Sequence, residues 1–108
     1  MSLRFGQTRD RKRAIPARRG SEQRGPRYAV VVQADELLAL STVLVSPTST
    51  AAPPRSFRPT IDLDGTPTRV LVEQTTAVSP GRLGDSVGRL SASELRELDT
   101  ALALVLGL

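Results

Sequence analysis

The sequence predicts a small, mostly β domain closed by a single C-terminal helix, and three observations lead there. Short runs of β-branched residues recur between stretches rich in Pro, Gly and hydroxyls, the pattern of brief strands separated by turns. No connection between these runs is long enough for a β–α–β crossover, so the strands return antiparallel. From Ser91 onward the apolar residues fall at spacings of three and four, the period of one helix face. The 108 residues suffice for one domain with a modest core. Phe5, Tyr28 and Phe57 are the only aromatics, so that core is built from Val, Leu, Ile and Ala.

Taken in order, "YAVVVQA" at 28–34 is rich in β-branched residues and reads as a buried strand. "STVLVSPTST" at 41–50 reads as a second strand, closed by Pro47 and a hydroxyl-rich end. The prolines of "AAPPRS" mark a loop. In "SFRPTIDLDG", Phe57, Pro59, Ile61 and Leu63 alternate with polar residues, as in a half-buried strand, and Pro59 puts that strand at an edge or a bulge. "TRVLVEQ" at 68–74 reads as a further strand that includes Glu73 and Gln74, and "DSVGRLS" as a short last one. The helix opens at Ser91, with Glu94 three residues later in the capping-box spacing. Leu95, Leu98, Leu102 and Val105 form its apolar stripe, and Ala101, Leu104, Leu106 and Leu108 widen it beyond what one sheet face needs, which points to a homodimer.

Composition excludes several chemistries. The chain has no His and no Cys, which rules out a Ser-His-Asp triad, a cysteine nucleophile, an ordinary structural zinc site and disulfides. No apolar run reaches the roughly 18 residues of a membrane span, and no apolar segment follows the N-terminal charges as in a secretory signal. A cytoplasmic protein with no membrane association is expected. Asp62 and Asp64 share one strand face, and two carboxylates without further ligands read as a solvated face, so no metal and no cofactor are expected.

The net charge of +4 is unevenly spread. Residues 1–27 carry nine basic side chains against Asp10 and Glu22, a balance of +7, and residues 28–108 carry −3. Such an arm suits a polyanion or an acidic protein partner, and it equally suits plain solubilisation.

The segment "RRGSEQRGPRYAVVVQA", Arg18 to Ala34, feeds a basic, Gly-punctuated loop into the first strand. Loops anchored on rigid strands are where polar groups are held for function. With "VLVSPTS", "VLVEQTTAV" and "LGDSVGRLSASELRELDTALALVLGL" in the same order and spacing, the sequence resembles the MazF/PemK family of toxin endoribonucleases over residues 15–108. The resemblance implies an SH3-like small barrel of the MazF/PemK (CcdB-like) type with a C-terminal helix, and a homodimer. It also implies metal-independent cleavage of single-stranded RNA at short sequences in a type II toxin–antitoxin system, with an acidic antitoxin as partner. Messenger RNA is the first substrate to consider, with ribosomal or transfer RNA as alternatives.

RNA can be cut without metal or histidine if the 2′-hydroxyl is activated, the phosphate neutralised and the leaving oxygen stabilised. The family's catalytic positions map here onto Arg27 and Thr48, with Glu22 a further candidate. Arg27 offers a planar, permanently charged fork to the phosphate. Glu22 is the carboxylate within reach of the 2′-hydroxyl proton, and Thr48 supplies a hydroxyl. Ser21, Gln23, Arg18, Arg24, Ser49 and Gln74 are the expected RNA-binding residues, Gln23 because its amide both donates and accepts.

Each of these residues also has a bland reading. Arg27 can pair with Glu22, Thr48 and Ser49 can cap a turn, and Gln74 can bond locally to the loop. The rival function is a MazF-like module that dimerises and binds an antitoxin without cutting RNA. A non-specific RNA-binding protein is disfavoured by the shortage of stacking aromatics. The rival draws on the N-terminus, where "GQTRDRKR" occupies the place of the family's apolar first strand, and Arg27-Tyr28 replaces the family's Arg-Pro. Burying Arg11, Lys12 and Arg13 unpaired would cost several kcal/mol each. Residues 1–14 are therefore expected to form a basic arm outside the barrel, disordered or laid along an edge.

Overall fold

The computed structural model describes residues 11–15, 27–84 and 86–108. Among the described residues, seven strands precede the helix: β1 (Arg11–Ile15), β2 (Arg27–Val31), β3 (Val43–Ser49), β4 (Thr60–Leu63), β5 (Thr66–Val70), β6 (Thr76–Val78) and β7 (Ser86–Arg89), then α1 (Ala92–Leu106). All pairings are antiparallel, in the order β4-β5-β3-β2-β1-β7, with β6 also on β3. β3 is the hinge of this curled half-barrel. Its first half pairs with β6 and its last two residues with β5, while β2 lies along its other side. Pro47 sits at the changeover, where a missing N–H breaks no ladder bond that the curl has not already interrupted, and its carbonyl accepts from Leu71 N at 2.8 Å.

The unbroken apolar run of β2 is explained by burial on both faces. Val30 and Val32 join Ile61, Val70, Val72 and Leu90 beneath Leu95, Leu98, Ala101 and Leu102 of α1. Ala29 and Val31 face the opposite way, against Val43 and Val45. The helix starts as its sequence requires: the Ser91 hydroxyl accepts from Glu94 N, and Glu94 Oε1 accepts from Ser91 N. Glu94 Oε2 also accepts from Asp62 N at 2.8 Å, so the cap fastens the helix to β4. β4 and β5 are joined by Asp64-Gly65, both at positive φ (57° and 87°), the conformation of a type I′ hairpin, and Asp62 Oδ1 accepts from Gly65 N.

Four expectations are corrected. Arg11–Ile15 does not lie outside the sheet; it is a strand between β2 and β7, with Lys12 opposite Val30 and a shift in the β7 register between Lys12 and Arg13. The expectation weighed buried side-chain charge, whereas a ladder is made by main-chain groups that every residue here carries, and a strand with two neighbours satisfies both of its edges. The domain boundary after residue 14 therefore falls inside β1, and residues 1–10 lie outside the described residues. Second, the strand expected over 68–74 ends at Val70, and Val72–Gln74 is a 3-10 turn in which Thr75 Oγ1 donates to Val72 O. Third, β6, unseen in the sequence, follows that turn. Fourth, Val105 does not join the buried stripe and is 38 % exposed, in the last turn of α1 where Leu104 and Leu106 are exposed as well.

Candidate functional site

Arg18, Ser21, Glu22, Gln23 and Arg24 lie outside the described residues. Arg27 is the first residue of β2, opposite Ile15 of β1. One hydrogen bond ties this end of β2 to the end of β3: Thr48 Oγ1 donates to the carbonyl of Tyr28 at 2.8 Å. The sequence separates these residues by twenty positions, and the curl of the sheet brings them to one corner.

Thr48 and Ser49 are not equivalent at that corner. Thr48 is opposite Val70, a fully buried core residue, and is itself only 7 % exposed. Its proton is committed to Tyr28. Successive strand residues point to opposite faces, so Ser49 lies on the other side, opposite Arg69. Ser49 Oγ accepts from Ala51 N at 3.1 Å and Ala52 N at 3.0 Å, the turn-capping bonds expected of a strand-end hydroxyl. Those bonds occupy lone pairs and leave the Ser49 proton to be donated.

Gln74 is exposed at the end of the 3-10 turn, its main-chain N–H bound to Leu71 O. Beside it Glu73 takes both Nε (3.1 Å) and Nη2 (2.6 Å) of Arg58 on one carboxylate oxygen. This contact, first among its causes, holds the Glu73 carboxyl below its usual range. Deeper in, Ser46 is fully buried with Oγ 2.7 Å from Thr75 Oγ1; since Thr75 donates to Val72 O, the Ser46 hydroxyl supplies the proton between them. Gln33 is buried as well, its amide donating to Leu37 O and Thr42 O and accepting from Leu44 N, which closes the β2–β3 connection. Both are structural. Among the described residues, no three His, Cys, Asp or Glu side chains gather as a metal site would require, and no helix is long and apolar enough to cross a membrane.

A small curled antiparallel sheet and a C-terminal helix fastened by its cap make a mostly β domain of the kind the sequence resembles. The chain belongs to the family of PemK-like, MazF-like toxins of type II toxin–antitoxin systems, whose profile matches residues 13–106. A Mycobacterium tuberculosis protein named, provisionally, as a toxin is 43 % identical over 93 residues, covering 85 % of this chain and 87 % of its own length. Among solved structures, the M. tuberculosis toxin MazF-mt6 matches 91 % of this chain and 97 % of its own, with a TM-score of 0.76 at 19 % identity. A mycobacterial endoribonuclease, solved in complex with its cognate antitoxin, matches 93 % and 94 % with a TM-score of 0.78 at 17 % identity. MazF from Deinococcus radiodurans matches 92 % and 94 % with a TM-score of 0.73 at 20 % identity. At these identities the structural likenesses establish the fold, a mostly β curled sheet with a C-terminal helix.

Proposed function

We propose that this toxin is an endoribonuclease that cuts single-stranded RNA at short sequences without a metal ion. The attacking group is the 2′-hydroxyl of the substrate: its oxygen bonds to phosphorus, the bond from phosphorus to the 5′-oxygen breaks, and the products end in a 2′,3′-cyclic phosphate and a 5′-hydroxyl. Arg27 neutralises the phosphate oxygens, Glu22 takes the 2′-hydroxyl proton, and a strand-end hydroxyl donates to the phosphate or the leaving oxygen. The observation that supports this reading is the Thr48–Tyr28 bond, which ties the end of β3 to the start of β2, one residue from the main chain of Arg27.

Geometry favours Ser49 over Thr48 as the donor, since the Thr48 proton is already spent and its side chain faces the core. Thr48 then acts as a positioning residue. Ser21, Gln23, Arg18 and Arg24 bind the RNA, and exposed Gln74 is available to it. The protein works in the cytoplasm as a homodimer and is restrained by an acidic antitoxin; a neighbour solved with its cognate antitoxin supports that partner, and the exposed Leu104, Leu106 and Leu108 support the dimer. The rival, a module that binds without cutting, rests on the basic N-terminal segment and on Tyr28 after Arg27; the strand formed by Arg11–Ile15 weighs against the first of these grounds and leaves the second. Incubation of the purified protein with a long RNA in EDTA, followed by mapping of 5′ ends, tests the proposal. Cuts recurring at one short sequence are expected, and intact RNA would favour the non-cutting module.

A further inference from the structure

Four arginines distant in sequence meet at one place. Arg55, Arg58, Arg69 and Arg96 line an open cleft of about 590 Å³ where the 52–60 loop meets β5 and α1, and Glu97 is the acidic residue on its wall. Three of the guanidinium groups are braced against the loop's own carbonyls. Arg55 Nη1 donates to Pro54 O, Arg58 Nη1 to Pro53 O and Arg69 Nε to Ala52 O, while Arg69 Nη1 donates to Thr60 Oγ1; Arg58 is also paired with Glu73 through Nε and Nη2, so Arg55, Arg69 and Arg96 carry the charge offered to an anion. Bracing of this kind lowers the ordering cost when an anion arrives. Ser56, Thr60, Ser93 and Thr100 supply hydroxyls to the rest of the lining, and Pro59 is its one apolar residue.

The cleft is continuous with the candidate site. Ser49 pairs with Arg69, and Arg69 pairs with Thr60, so these three residues form one row across β3, β5 and β4. Two interstrand spacings, about 10 Å, separate Ser49 from Thr60, and Arg69 and Thr60 belong to both row and cleft.

We infer that this cleft is an accessory phosphate-binding track, which grips the RNA backbone beside the cut site. The inference rests on the ribonuclease reading above. Arginine forks and hydroxyls match phosphate oxygens in geometry and charge. An acidic peptide is the lesser fit, because docked peptides concentrate their affinity in a few buried anchors, aromatic ones above all, and this wall has no aromatic residue and Pro59 as its one apolar residue.

The test is binding of a 12-nucleotide 2′-O-methyl RNA, which has no free 2′-hydroxyl and so cannot be cut, measured by fluorescence anisotropy across a salt series. Wild type is compared with an Arg55→Ala, Arg96→Ala double variant whose fold is checked by its melting temperature. Loss of two phosphate contacts should weaken binding roughly fivefold or more at low salt and reduce the slope of log K against log salt by ~1.4. Equal affinity and slope in both proteins would overturn the track. If the variant instead loses a Glu-rich 12-residue peptide while keeping its RNA slope, the cleft belongs to a protein partner and the inference is likewise overturned. Cleavage by wild type in EDTA is scored separately, so a failed track and a failed ribonuclease reading give different results.

Discussion

Replacing Thr48 with valine removes one hydroxyl and almost no volume, and it separates the two roles that a hydroxyl at this corner can play. The bond lost is 2.8 Å long and belongs to a residue only 7 % exposed. A buried hydrogen bond contributes about 1 kcal/mol net, and the cost rises toward ~3 kcal/mol if the Tyr28 carbonyl is left without a partner. Thr48→Val should therefore lower the urea midpoint by an amount equivalent to about 1–2 kcal/mol with an unchanged m-value. Thr48→Ser should recover most of it. Because the Thr48 proton points to Tyr28 rather than outward, RNA cleavage by folded Thr48→Val should fall only a few-fold, through a looser start of β2. Ser49→Ala should show the reverse: about 0.5–1 kcal/mol lost with the turn bonds, and cleavage slowed by ~10²-fold. The decisive assay is single-turnover cleavage of one RNA by both variants under conditions where each is fully folded. A Thr48→Val protein slowed by ~10²-fold beside a fully active Ser49→Ala protein would refute the assignment and return the donor role to Thr48.

Other perturbations address the fold and the assembly. Glu94→Ala keeps the Ser91 hydroxyl on the main-chain N–H of residue 94 but removes the carboxylate that accepts from both Ser91 N and Asp62 N, and should cost about 1.5–3 kcal/mol in chemical denaturation. Glu73 is held below its usual pKa by Arg58, so its contribution is fully present above the unfolded carboxyl pKa and is lost as pH falls through the lower folded value. Glu73→Gln should cost under about 1 kcal/mol at neutral pH and flatten the acid limb of the stability–pH curve; an unchanged acid limb would show that the ion pair does not form in solution. Amides of residues 12–14 should exchange slowly, as in a strand with two neighbours, and exchange at free-peptide rates would return β1 to the arm first expected. Light scattering at tens of micromolar should give the mass of a dimer, and a monomer mass throughout would count against the reading of Leu104, Leu106 and Leu108.

Where the local pattern and the tertiary demand agreed, the sequence could be read directly. The Ser91–Glu94 box, the Leu95–Leu98–Leu102 stripe and the doubly buried run of β2 all announce themselves within a few residues. β1 could not be read because "RKRAI" carries no apolar alternation; its place is set by the two ladders that flank it, which no local window contains. The sequence extends β5 past its end because Leu71 and Val72 continue its apolar character, and the Thr75 hydroxyl bond to Val72 O, with the 3-10 turn it closes, marks where the chain bends.

The site was legible in the same uneven way. Alternation alone could have set Thr48 and Ser49 on opposite faces, but which of them faced the core depended on the pairing of Thr48 with Val70. The arginine cleft was invisible for another reason. Arg55, Arg58, Arg69 and Arg96 are dispersed, with acidic residues between them, through residues 28–108, whose overall charge is −3, and only folding gathers them.

The central claim is that this chain cuts RNA by directing the substrate's own 2′-hydroxyl at the adjacent phosphate. Two RNAs differing by one 2′-O-methyl group at the mapped cut site test it most directly, incubated in EDTA with wild type and with Arg27→Ala. Wild type should cut the unmodified RNA to a 2′,3′-cyclic phosphate and a 5′-hydroxyl and leave the methylated site intact, and folded Arg27→Ala should be slower by ~10²-fold or more. Cleavage at the methylated position, a 5′-phosphate product, or undiminished cutting by Arg27→Ala would contradict the account.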